Sequence, residues 1–139
     1  MTTPDLQIKA RDLMETRMVA VTRHYKARDL SILIQSGKFS GVPVIDPGNH
    51  LVGVVTEFDV LKALLAKKDL LTLKAEDIMS ADPITVEETD TAEHIVKQMI
   101  DHQIIRIPVV REGRLVGVIS RTDLLNHLVA SNMINVYGA

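Results

Sequence analysis

Apolar residues along the chain follow two periods. Short runs of strand length occur at Val19–Val21, Val42–Ile45, Leu51–Val55, Ile84–Val86, Ile107–Val110 and Leu115–Ile119. Most are rich in β-branched residues, and Gly-containing turns separate the paired runs, which predicts strands and hairpins. The runs from Val42, Leu51, Ile107 and Leu115 are apolar throughout and do not alternate, so a sheet covered on both faces is expected. Elsewhere the spacing is helical. Ala92, Ile95, Val96, Met99 and Ile100 fall at i, i+3, i+4, i+7 and i+8, and Ala27, Leu30, Leu33 and Ile34 repeat the pattern more weakly. Further helices are predicted from Glu57 (Val60, Leu61, Leu64, Leu65) and from Arg121 (Leu124, Leu125, Leu128, Val129), and short helical turns lead up to Met14 and Met79.

These elements occur twice in the same order. Lys9-Ala10-Arg11-Asp12-Leu13-Met14 returns as Lys74-Ala75-Glu76-Asp77-Ile78-Met79, an offset of 65 residues that also carries Val42-Pro43-Val44-Ile45 onto Ile107-Pro108-Val109-Val110. Leu51-Val52-Gly53-Val54-Val55-Thr56 then falls on Leu115-Val116-Gly117-Val118-Ile119-Ser120 at an offset of 64. The missing residue lies in the turn, where Asp46-Pro47-Gly48-Asn49-His50 is replaced by Arg111-Glu112-Gly113-Arg114. Turns tolerate a change of length and paired strands do not, so a gap at this place marks a structural duplication. The repeats cover residues 8–66 and 74–130, with a lead at 1–7 and a tail at 131–139. The expected fold is α/β of the mixed α+β kind: two tandem β-α-β-β-α motifs packed about a pseudo-two-fold axis, with a cleft at the junction. A single motif of about 60 residues buries too little surface to be comfortable alone. Apolar helix positions left over at Leu61, Leu65, Leu125 and Val129 suit a second chain, so a homodimer is expected.

Composition narrows the function. The net charge of −2 and an aromatic content of 3% without tryptophan disfavour nucleic acid, which needs a basic surface or stacking platforms. No cysteine is present, which removes disulfides, thiolate metal sites and a cysteine nucleophile. The chain shows neither a signal-peptide pattern at Met1–Asp5 nor an apolar run long enough to span a membrane, so a cytoplasmic, soluble protein without a membrane partner is expected. No Ser/His/Asp set or duplicated acid–base pair appears, and the chain is not expected to be an enzyme.

The most specific repeated feature is Gly-h-h-[Thr/Ser]-x-x-Asp, where h is apolar. It reads Gly53-Val54-Val55-Thr56-Glu57-Phe58-Asp59 and Gly117-Val118-Ile119-Ser120-Arg121-Thr122-Asp123. Two readings of it stand side by side. A hydroxyl followed three residues later by a carboxylate forms a capping box at a helix start. That box prefers Glu or Gln at its third position, whereas both copies carry Asp.

With the Pro-Val strand, the Leu-Val-Gly hairpin partner and this helix start, the sequence resembles tandem cystathionine-β-synthase (CBS) domains, the arrangement called a Bateman module. The resemblance implies a regulatory sensor that binds an adenosine-containing ligand in the cleft between repeats: AMP, ADP, ATP or S-adenosylmethionine. Carried over, Thr56 and Asp59 serve one ribose and Ser120 and Asp123 the other. A carboxylate offers two acceptor oxygens to a ribose diol, a helix N-terminus favours phosphate, and Gly53 and Gly117 let a ligand approach the backbone. Adenine would be read near Ala20 and Val42, or near Thr85, Ile107 and Pro108. Arg106 and Arg121 replace Gly41 and Glu57, which makes the Asp123 site friendlier to phosphate. That site is expected to prefer a phosphorylated ligand, and the Asp59 site to be empty or to hold a less charged adenosine derivative. No cofactor is required; magnesium accompanying a nucleotide, near Asp12, Glu76 or Asp77, is a lesser option. The competing reading is a ligand-free dimerisation or docking scaffold, and a separate effector protein is the expected partner of a sensor.

Other features have plainer explanations. Ser36-Gly37-Lys38 lacks the upstream glycine of a phosphate loop, because residue 32 is Ile. The five histidines show no metal-ligand spacing. Met14, Met18, Met79 and Met99 fit core packing better than a purine lining.

Overall fold

Each predicted strand pair closes as a hairpin, and the two turns reach closure differently. In the computed structural model, which describes residues 4–129, Glu112 (φ 51°) and Gly113 (φ 78°) form a two-residue turn between β6 (Arg106–Arg111) and β7 (Arg114–Ser120). Two left-handed residues in succession match the twist of the flanking strands. The longer turn between β2 (Gly41–Ile45) and β3 (Leu51–Thr56) is held by Asp46, whose Oδ1 accepts the backbone N–H groups of Gly48 at 2.9 Å and His50 at 2.8 Å. Its ladder shifts register between Val44 and Ile45, the kind of bulge that absorbs an extra residue.

The remaining elements are α1 (Ala10–Leu13), β1 (Val21–Thr22), α2 (Ala27–Gln35), α3 (Glu57–Leu65), α4 (Ala75–Ile78), β4 (Ser80–Ala81), β5 (Val86–Glu87), α5 (Ala92–His102) and α6 (Arg121–Val129). The fold is mixed α+β, as expected, and β-α-β-β-α occurs twice, each time after a short leading helix, with an additional strand β4 between α4 and β5 in the second. Residues 1–3 and 130–139, including the end of the second repeat and the tail, lie outside the described residues.

Two compact units emerge, and they do not coincide with the sequence repeats. One comprises Arg17–Ile84 with Glu112–Leu115; the other comprises, among the described residues, 4–16, Thr85–Arg111 and 116–129. The leading helix of each repeat therefore belongs to the unit built on the other repeat's strands. Backbone hydrogen bonds fix the assignment: the N–H of Ala10 donates to Asp90 O at 2.8 Å, and that of Ala75 donates to Tyr25 O at 2.8 Å.

In the first-repeat unit the sheet order is β1-β2-β3-β4, with β1 parallel to β2 and the other pairs antiparallel. Its core gathers Val21, Leu30, Val42, Val44, Val55 and Ile78. Burying an aliphatic side chain of this kind stabilises by about 1.5–3 kcal/mol, before chain entropy is set against it. The second-repeat unit has the order β5-β6-β7, with Ile95, Ile107, Val109 and Ile119 fully buried. The central strands β2 and β6 are covered on both faces, as their apolar runs predict. In β3 and β7, by contrast, burial alternates although the sequence does not. The first strands also begin later than predicted, at Val21 and Val86, because the parallel ladder reaches back only to Val44 and to Val109.

Candidate functional site

The two Thr/Ser-x-x-Asp segments sit where β3 runs into α3 and where β7 runs into α6, so strand geometry ends and helix geometry begins at Thr56 and Ser120. Thr56 is the extended N-cap of α3 (φ −108°, ψ 171°). Its hydroxyl accepts the N–H of Asp59 at 3.3 Å and donates to Asp59 Oδ2 at 3.0 Å. Asp59 Oδ2 also accepts the N–H of Thr56 at 2.8 Å, closing a capping box. The other oxygen, Oδ1, accepts the hydroxyl of Ser80 at 2.9 Å. Asp59 is 7% exposed, the one buried charged side chain among the described residues. The expectation that Asp fits this box poorly is therefore corrected. With the N-cap extended, the shorter side chain still reaches back to the N-cap N–H.

The second segment is looser. The N–H of Asp123 donates to Ser120 Oγ at 3.1 Å, and the N–H of Ser120 donates to Asp123 Oδ2 at 3.4 Å. Asp123 is half-buried, and among the described residues no donor reaches its Oδ1. In the first-repeat unit Ser80 arrives through β4, which pairs Ser80 with Val54. In the second, the same pairing joins Glu15 to Val118. Sequence reasoning missed both residues, although the 65-residue offset aligns Glu15 with Ser80.

For Gly53 and Gly117 the structure supplies a packing reason that the sequence did not reveal. A Cβ on Gly53 would lie 2.5 Å from Met79 Sδ, and one on Gly117 would lie 2.5 Å from Met14 Sδ. Each glycine is the notch into which the methionine after a leading helix fits. The packing role expected for Met14 and Met79 is thereby observed.

The residues expected near an adenine occupy equivalent places in the two units. Val42 and Ile107 have no exposed surface, main chain included, so of the expected adenine positions only the half-buried Ala20 and Thr85 offer surface to a ligand. Val42 and Ile107 lie two residues before the start of the parallel ladder, and Ala20 and Thr85 immediately precede β1 and β5. Pro108 is buried beside Ile107. Arg106 opens β6 and is half-buried. Arg121 is exposed at the first position of α6, where its backbone N–H donates to Ile105 O at 2.9 Å. Glu57 holds the corresponding exposed position of α3.

Charges elsewhere serve the scaffold. Arg111 grips Glu88 with two hydrogen bonds of 2.6 and 2.8 Å, and this pairing holds the Glu88 carboxyl below the usual carboxylate range. The N–H of His50 does the same for Asp46. His24, His50 and His94 each face a single carboxylate, and among the described residues no group of three metal-ligating side chains forms. Ser36 and Gly37 (φ 79°) end α2, as a turn before a strand should. Among the described residues no helix is long and apolar enough to cross a membrane.

A family model, CBS domain, matches residues 10–66 and again 75–130. The chain belongs to the CBS domain family. It is 30% identical over 117 residues to the protein YlbB of Bacillus subtilis, covering 84% of this chain and 79% of YlbB. In a longer relative, the homoserine O-acetyltransferase of Methanobrevibacter ruminantium, the match is 30% identical and spans only 24% of that protein. Among solved structures, CBSX2 in complex with AMP superposes with a TM-score of 0.77 at 26% identity, covering 90% of this chain and 98% of that one. The CBS domain pair of MJ0100, in complex with 5′-methylthioadenosine and S-adenosyl-L-methionine, shares the fold with a TM-score of 0.74 at 24% identity over 84% of this chain and 92% of that one.

Proposed function

We propose that this CBS domain pair is a non-catalytic regulatory module that binds an adenosine-containing ligand, with Asp123 as the ribose-binding carboxylate. The observation that carries this reading is the unengaged Oδ1 of a half-exposed Asp123 at the first turn of α6. A ribose diol brings two adjacent donors, and a carboxylate with acceptor capacity to spare accommodates them. Arg121 at the same helix start and Arg106 at the start of β6 supply positive charge for a phosphate, so AMP, ADP or ATP suits this end better than an uncharged adenosine derivative. That CBSX2 was solved with AMP supports the ligand class. Magnesium would enter only with a polyphosphate. The lack of a long apolar helix among the described residues fits work in the cytoplasm.

A second copy of the chain is the partner favoured by the exposed apolar positions of α3 and α6, among them Leu61 at 56%, Leu65 at 85% and Leu125 at 59%. Ligand binding regulates only through different affinities for two states, which a separate effector protein would read.

Thermal unfolding with AMP, ADP, ATP, S-adenosylmethionine and NADH, with and without magnesium, tests the reading. Ligand at about 100 times its dissociation constant adds roughly 2.7 kcal/mol, several degrees for a domain of this size. A flat response to every compound would leave the ligand-free scaffold as the better account.

A further inference from the structure

We infer that Ser80 withholds Asp59 from ligand, so that the chain takes one adenosine ligand, at Asp123, and not one per repeat. The inference rests on the functional reading above and adds its stoichiometry. Both oxygens of Asp59 are engaged by its own unit: Oδ2 by the backbone N–H and hydroxyl of Thr56, Oδ1 by the hydroxyl of Ser80. With 7% of its surface exposed, Asp59 has little room for further donors. A ribose diol arriving there would have to displace hydrogen bonds already made to a carboxylate. Ser80 itself is exposed, and its hydroxyl occupies the one Asp59 oxygen that the capping box leaves open.

The other unit lacks this device. Glu15 occupies the position of Ser80, paired with Val118 as Ser80 is with Val54. A glutamate side chain presents acceptor oxygens where serine presents a donor hydroxyl, and no described residue donates to Asp123 Oδ1. One position in the strand segment after each leading helix thus decides whether the helix-start carboxylate is covered or open.

Isothermal titration of the full chain with adenosine, whose neutrality removes phosphate effects, tests the inference. Wild type should bind one equivalent. Ser80→Ala should bind a second, its site at least about ten-fold tighter than any residual wild-type binding there, as expected for removing a competing hydrogen bond to a charged group. Ser80→Thr, which keeps the hydroxyl, should remain at one equivalent, and Ser80→Ala with Asp59→Ala should return to one. At the other unit, Glu15→Ser should bind more weakly than Glu15→Ala, because both lose the charge but only serine restores a donor. Two equivalents in wild type, or one in a folded Ser80→Ala, would overturn the inference while leaving the functional reading intact. No binding by any variant would remove both.

Discussion

The two helix starts of this protein share a motif and differ in what surrounds it. At α3, Thr56, Asp59 and Ser80 form a closed set with every carboxylate oxygen engaged. At α6, Ser120 and Asp123 make only the two reciprocal backbone contacts, the longer at 3.4 Å. The same four-residue pattern is therefore a structural cap in one unit and a cap with unused acceptor capacity in the other. A motif states which groups are present. Whether they are available depends on a residue from a distant part of the chain.

The sharpest way to break this contrast is to remove each acid in turn. Asp123→Ala should weaken AMP binding about a hundred-fold or more, since two ribose hydroxyls lose a charged partner; comparable binding by titration calorimetry would erase the distinction. Asp59→Ala should act chiefly on folding, lowering stability in urea by about 2 kcal/mol through the lost cap and the donors left unpaired. The glycines should show where the units are alike. Gly53→Ala and Gly117→Ala should each cost about 1–3 kcal/mol, because a methyl group would overlap Met79 or Met14. Unequal losses in chemical denaturation would mean that the two notches are not equivalent.

Smaller effects refine the electrostatic side. Arg121→Ala should weaken AMP a few-fold, as exposed charge pairs do, and leave adenosine unchanged; equal losses for both ligands would show that Arg121 does not face a phosphate. The smallest effect concerns Glu88, whose carboxyl is held low by Arg111. A folded-state pKa below the unfolded one gives a contribution that is present at neutral pH and fades as pH falls through the lowered value. Arg111→Ala should move the Glu88 carboxyl titration, followed by NMR, upward toward the ordinary range.

Much of this was legible in the residues. The one-residue gap in the turn marked both hairpins, and the helices begin at Glu57 and Arg121 as their pattern requires. The contrast of charge at the two helix starts, Arg121 against Glu57, was also legible. Three things were hidden for physical reasons. Apolar runs do not say which faces are covered, so the alternating burial of β3 and β7 could not be read from valines that look alike. A linear repeat does not say which sheet its leading helix joins. Ser80 carries no signal of its own; its role comes from a register that places it beside Val54 and, through a side chain, against a carboxylate 21 residues away in sequence.

That crossed allegiance of α1 and α4 has a practical consequence for anyone dissecting the molecule. Scission in the linker around residues 67–73 would yield two fragments that each carry the wrong methionine: Met14 would stay with Gly53, and Met79 with Gly117. Neither fragment would contain a complete native unit, and recovering one would require the pieces to lend each other their first helices across a broken chain.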